Sequence, residues 1–303
     1  MKAMPMNARL LGACLALVLA QPVLAEFPRT ADGKPDVSGN YDTATQTPLE
    51  RPVDLGDKLY LTGEEAQAYT AERKARLEDL EAQKDDDPNR GAPPKGGDGN
   101  YILGAGGVGG YNAGWIDNGE FVFAIDGKFR TSIIHDPANG RMPPYVPAAG
   151  PRLMKKYGHF SKPNTGTAWW LADQGPGPYD RPESRTKSDL CLAGFGSTGG
   201  TPKLPVLYNN MKRIVQTPTH VMILVEMVHD ARIVRLNSEH VDPSIRKWMG
   251  DSIGWWEGDT LVVDTTNFND NPGLGQATRD LHVVERFTPM DYGDVLYQFT
   301  VED

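Results

Sequence analysis

The last third of the chain repeats one pattern, short runs rich in Val, Ile, Thr and aromatic residues separated by turn residues. Residues 212–216, 221–227, 231–236, 260–265, 282–287 and 295–301 all read this way. A side-chain period of two belongs to extended backbone, and several such runs at close spacing predict an antiparallel meander, closed into a lipocalin-like barrel or wrapped on itself. The expected fold is therefore mainly β. In Trp256-Glu257-Gly258-Asp259-Thr260 a glycine stands first in a two-residue turn, so Trp256 and Leu261 should face each other across a hairpin.

This β-rich body should begin near residue 115 and run to 303. Glu120–Ile125 and Phe129–Ile134 flank Asp126-Gly127, a strong hairpin signal, and Arg152–Gly158 reads as a short helix. Residues 164–201 are irregular, and loops of that length are commonly functional. Upstream, Thr62-Gly63-Glu64-Glu65 forms a capping box ahead of an Ala-, Glu- and Arg-rich stretch, which predicts one N-terminal helix over 62–84. Residues 26–61 read as an extended N-terminal arm. Residues 85–114 read as a linker, with ten glycines among the twenty-four residues from Gly91 to Gly114. Asp85, Asp87 and Asn89 have calcium-loop spacing, but Arg90 and Gly96 stand where that loop needs glycine and glutamate. Gly104, Gly106 and Gly109 fit a dinucleotide pattern with no strand before them and no helix after, so no nucleotide site is assigned.

Lys2 and Arg9 precede an apolar run, Leu10–Ala20, that closes on Val23-Leu24-Ala25. That is the pattern of a secretory signal peptide cleaved near Ala25, and it places the mature protein in the periplasm or outside the cell. Spanning a bilayer takes roughly 20 apolar residues, more than this run supplies. Leu11-Gly12-Ala13-Cys14 resembles a lipoprotein box, yet processing there would leave the apolar run in the mature chain, so no stable membrane anchor is expected. Loss of residues 1–25 removes Lys2 and Arg9 and no acid, taking the formal charge from −9 to −11. So acidic a chain repels phosphate backbones, and nucleic acid is not an expected partner. Cys14 leaves with the leader, and Cys191 alone cannot close an intramolecular disulfide.

Three blocks resemble a family of uncharacterised secreted bacterial proteins. The first is Arg130-Thr131-Ser132-Ile133-Ile134-His135-Asp136-Pro137 with Gly140-Arg141-Met142-Pro143-Pro144. The second runs Ser188-Asp189-Leu190-Cys191-Leu192 and on through Gly194-Phe195-Gly196. The third joins Ile214–Pro218, Arg246–Ser252 and Trp256–Thr265. The resemblance implies secretion and a β-rich C-terminal body. It carries over no reaction and no catalytic residues. Members of that family usually run on past the Val-Glu-Asp seen here, which implies a shortened C-terminus and an open sheet edge, an aggregation hazard.

Polar residues inside the strands mark the candidate sites. In 281–287, Glu285 shares a face with Leu281, Val283 and Phe287, while His282 and Arg286 share the other. If the first face is inward, Glu285 is a buried carboxylate that needs a cation or hydrogen bonds, or else becomes an acid/base group. Glu226 interrupts one apolar run, and Arg232 and Arg235 interrupt the next, so a Glu226–Arg235 ion pair is the structural alternative. His282, Glu285, Glu226 and His229 are thus the candidate catalytic residues. Trp255, Arg232 and Tyr297 are the candidate ligand-binding residues, because adjacent Trp255 and Trp256 cannot both enter one face of a strand.

None of the six histidines is paired at metal-ligand spacing, so no metal ligands are assigned and no cofactor is predicted; a divalent metal held from distant segments stays open. Ser132, Ser197 and Ser252 lie in no nucleophile elbow. Two function classes follow. The leading expectation is recognition of an apolar or aromatic small molecule in the β-body. The second is a cofactor-independent hydrolase, lyase or isomerase that uses a Glu/His acid–base pair.

Overall fold

A computed structural model describes residues 27–82, 117, 119–158, 167, 169–171, 180–182, 185–194, 200–206, 209–275, 277–290 and 293–303. The segment read from sequence as a leader, the segment over 85–114 read as a linker, and Trp115 and Tyr208 lie outside the described residues.

Eight strands form one curled sheet, a half-barrel. They are β1 (Gly39–Asp42), β5 (Met211–Gln216), β6 (His220–Val225), β7 (Ala231–Leu236), β8 (Asp251–Glu257), β9 (Thr260–Thr266), β10 (His282–Pro289) and β11 (Val295–Glu302), paired in that order. Every pair is antiparallel except β7 with β8, which run parallel. That one pair departs from a pure meander, because the connection over 237–250 crosses over instead of turning back. β1 and β11 end the sheet and do not pair with each other among the described residues, so the barrel expectation is met only by half.

Register then decides which residues meet. The pairs Ile214↔Ile223, Val221↔Val234, Leu261↔Trp256, Val263↔Glu285 and Leu261↔Phe287 align one face of each strand. Ile214, Val221, Ile223, Val234, Leu261, Val263 and Phe287 from that face form the buried core, with Val37 added from the chain just ahead of β1 and Trp256 packed against it. A second apolar cluster of Phe268, Ala277, Leu281 and Val283 covers the start of β10. Gly258 has φ 60 and opens the β8–β9 turn, and Trp256 does face Leu261 across it. A β-carbon there would resist this φ, so glycine at this position fixes the register of both strands.

A smaller sheet, β2–β4–β3, joins β2 (Tyr60–Leu61), β3 (Ala124–Ile125) and β4 (Lys128–Arg130). Its β3–β4 hairpin turns at Asp126-Gly127, with φ 50 and φ 72. Fully buried Arg51 ties the surrounding loops together through Thr131 Oγ1 at 3.1 Å and the Ala138 carbonyl at 2.9 Å. The one long helix, α1 (Gly63–Ala82), begins at a true capping box: Glu65 N donates to Thr62 Oγ1 at 3.2 Å, and Thr62 N donates to Glu65 Oε2 at 2.8 Å. A short helix, α2, spans Ala149–Tyr157. Among the described residues no helix is long and apolar enough to cross a membrane.

Candidate functional site

The apolar inner face of the half-barrel is interrupted at one place. Arg232 on β7, Ser252 on β8, Thr265 on β9, Glu285 on β10 and Tyr297 on β11 are brought inward by strand alternation and fall side by side across the sheet. Arg232 and Glu285 are both buried and paired: Arg232 Nη1 donates to Glu285 Oε2, and Nη2 donates to Oε1 at 2.9 Å. Nη1 also donates to Thr265 Oγ1 at 3.1 Å, and Ser252 Oγ lies 2.9 Å from that hydroxyl. The Tyr297 hydroxyl donates to Glu285 Oε1 at 2.8 Å and accepts the Lys203 backbone N–H at 2.9 Å. That last bond holds the segment 200–206 down on the sheet.

Burial alone would raise the Glu285 pKa, but the Arg232 guanidinium outweighs it and holds the carboxyl below its ordinary value. Tyr297 is pushed well above its usual range, first by burial and then by the Glu285 charge. The Lys203 side chain is buried as well, and burial followed by the Arg232 charge lowers its amine to about 7. Its Nζ donates to the Gly200 carbonyl. Arg232 Nε is buried with no acceptor. Buried polar atoms are almost always satisfied in folded proteins, so this donor, together with the Thr201 hydroxyl that is also buried without a partner and the Lys203 amine with its single acceptor, is an anomaly of the site.

The outer face carries a second polar array. His240, from the crossover, lies 3.1 Å from Asp251 Oδ2 through Nδ1 and 3.1 Å from Asp264 Oδ1 through Nε2. His282 Nε2 approaches the same Asp264 carboxylate at 3.1 Å, and its Nδ1 lies 3.4 Å from Glu302. Arg235 clamps Asp251 at 3.0 and 2.9 Å, and Lys247 reaches it at 2.7 Å. Against the effect of burial, these donors, led by Arg235, hold the Asp251 carboxyl well below the usual carboxylate range. Burial would depress the His282 pKa, but Asp264 and then Glu302 raise it.

Three of the seven residues singled out from sequence therefore meet on the inner face: Glu285, Arg232 and Tyr297. His282 lies on the opposite face, in the array just described. Glu226 is exposed just after β6, and His229 is exposed in the turn that follows, and neither is hydrogen-bonded or ion-paired to Glu285. Trp255 faces outward opposite Val262, with Nε1 donating to Glu257 at 3.0 Å. The anticipated Glu226–Arg235 pair is corrected: Arg235 points to the outer face and binds Asp251, and the inward charge pair is Arg232 with Glu285. Lys203, Asp251, Asp264 and His240 were not among the sequence candidates. Lys203 lies in an aperiodic segment, and the other three carry no local spacing signal. Among the described residues no three ligand-type side chains are arranged to hold a metal ion. Comparison of the chain with family models, curated proteins and solved structures found no match.

Proposed function

We propose that this protein recognises a small molecule with an apolar or aromatic body on the inner side of its half-barrel, next to Arg232, Glu285, Tyr297 and Lys203. The observation that carries the reading is a buried polar cluster, built into an apolar face, in which donors outnumber acceptors. A cluster that served stability alone would be matched by well-packed apolar residues at no cost, and unmet donors make it worse. Tyr297 also belongs to a ladder of rings, 5.0 Å from Phe287 and 5.6 Å from Phe299, and Phe299 is only half-buried. Such rings offer rigid apolar contact area beside the polar groups.

The acid–base enzyme is the less supported reading. Glu285 is held ionised and fully hydrogen-bonded, so it has no proton to donate and little basicity. What favours that second reading is the outer array, where His240 and His282 flank Asp264 and remain partly open to solvent. The working compartment is taken to be outside the cytoplasm, after removal of residues 1–25. Intact mass of exported protein should give a chain starting near Glu26.

Thermal shift against indole, phenol, naphthalene derivatives and aliphatic chains of graded length tests the binding reading. A ligand that binds only the folded state raises Tm, by about 2.7 kcal/mol of added stability at a hundredfold excess over Kd. A rise that Phe299→Ala abolishes is expected. A panel with no shift at all would overturn the proposal.

A further inference from the structure

Resting on that binding reading, we infer that the ligand carries a carboxylate, and that this group is received by Lys203 Nζ and Arg232 Nε. Among the described side chains withdrawn from solvent around Arg232, Lys203, Lys212 and Arg232 are cationic and Glu285 is the anionic one. The other charges that face Lys203 and Lys212 are Asp230, which is half-buried, and Glu226 and Asp42, which are exposed. Water screens those acids, so the buried part of the cluster keeps a surplus of positive charge whenever Lys203 is protonated.

Hydrogen bonding points the same way. The guanidinium spends Nη1 and Nη2 on Glu285 and Thr265, which leaves Nε–H pointing at no acceptor. An ammonium has three donors, and Lys203 gives one to Gly200. The site therefore lacks an acceptor and a negative charge at once, and an anionic oxygen supplies both. Asp230 does not fill the place, since its Oδ2 accepts the Gly194 N–H at 3.1 Å.

The number of open donors selects the kind of anion. One N–H on Arg232 and two on Lys203 match the two oxygens of a carboxylate. A phosphate monoester would spread the same three donors over three terminal oxygens, one each, where a carboxylate's two oxygens share all three, and an under-satisfied buried oxygen costs about 1–3 kcal/mol. The rings of Phe287, Tyr297 and Phe299 lie beside this corner, so the acid's hydrocarbon or aromatic part has apolar surface to cover.

Calorimetric titration of the full mature chain with benzoate, phenylacetate and hexanoate, each against its amide, and with phenyl phosphate, tests the inference. Each acid should bind roughly tenfold or more tighter than its amide, and phenyl phosphate should bind no better than the amides. Lys203→Met should remove the acid's advantage over its amide. Acids and amides of equal affinity would overturn the carboxylate inference while the apolar-ligand reading stands. Failure of every compound, acids and amides alike, would overturn both. Since Lys203→Met could also act through folding, the Lys203 ε-carbon is followed by NMR in the wild-type chain: saturating acid should raise the pH at which this amine titrates, and an unmoved titration refutes the contact.

Discussion

Glu285→Gln should destabilise the protein far more than its small change of shape suggests. The residue is fully buried, and its carboxylate accepts from Arg232 Nη1, Arg232 Nη2 and Tyr297. Glutamine keeps one acceptor oxygen and puts an NH₂ where the other was, facing donors. It also strips Arg232 and Lys203 of the one fully buried negative charge they share. Removing one partner of a buried pair typically costs about 3–5 kcal/mol. With a urea dependence of about 2–3 kcal/mol/M, the unfolding midpoint should fall by about 1–2 M. The informative control is the double replacement Arg232→Met with Glu285→Gln, which removes both charges. It should lie closer to wild type than either single variant, because no uncompensated charge stays in the core. Urea unfolding followed by tryptophan fluorescence and by circular dichroism gives the four corners of the cycle. If Glu285→Gln and Arg232→Met each cost less than about 1 kcal/mol, or if their effects simply add, the pair is not the coupled, desolvated unit described here.

Trp256→Ala should cost about 3–5 kcal/mol, because it empties the inward site opposite Leu261, whereas outward Trp255→Ala should cost clearly less; equal midpoints in urea would refute the face assignment. His282 has a raised pKa in the fold, so its contribution is fully present below about pH 6.5 and is lost as pH rises through the higher folded value. Tm measured across that range should fall less steeply in His282→Gln than in wild type. Lys203 behaves in the opposite sense: its amine is depressed, the unfolded chain holds the proton more tightly, and stability should rise with pH above about 7. Lys203→Met should flatten that rise. Gly250→Ala forces a β-carbon to 2.6 Å from the Thr266 carbonyl at φ +72, and a loss of more than about 1 kcal/mol in the same urea assay is expected.

How much of this was legible depended on whether the signal was local. Strands β5, β6, β7, β9, β10 and β11 announce themselves, since each alternates along its own length. β8 does not, because Asp251-Ser252-Ile253-Gly254 mixes polar residues and glycine on both faces and reads as a loop. Its parallel pairing with β7 was equally hidden: alternation tells which way a side chain points and says nothing about which strand lies alongside. The same division holds at the site. Glu285 and Arg232 stood out as charges on apolar faces, whereas the alternative Glu226–Arg235 pair does not form, because Arg235 lies on the outer face with Asp251. Lys203 falls in a proline-broken stretch where no period exists. His240, Asp251 and Asp264 each look like an ordinary surface residue, and only the fold makes them neighbours.

The position of β1 bears on how the molecule assembles. Strands β5 to β11 follow one another in sequence and close through short turns, one crossover over 237–250 and one longer connection over 267–281, so they can form early. β1 belongs to the same sheet, yet Gly39 sits opposite Ile214, with α1 and the whole small sheet between them. Ordering so long an intervening chain is slow compared with hairpin closure. Until β1 docks, Val37 is missing from the core and the β5 edge is open to strands from other molecules. The N-terminal arm thus acts as the closing piece of refolding, and the interval before it arrives is when a nascent chain is most easily lost to aggregation.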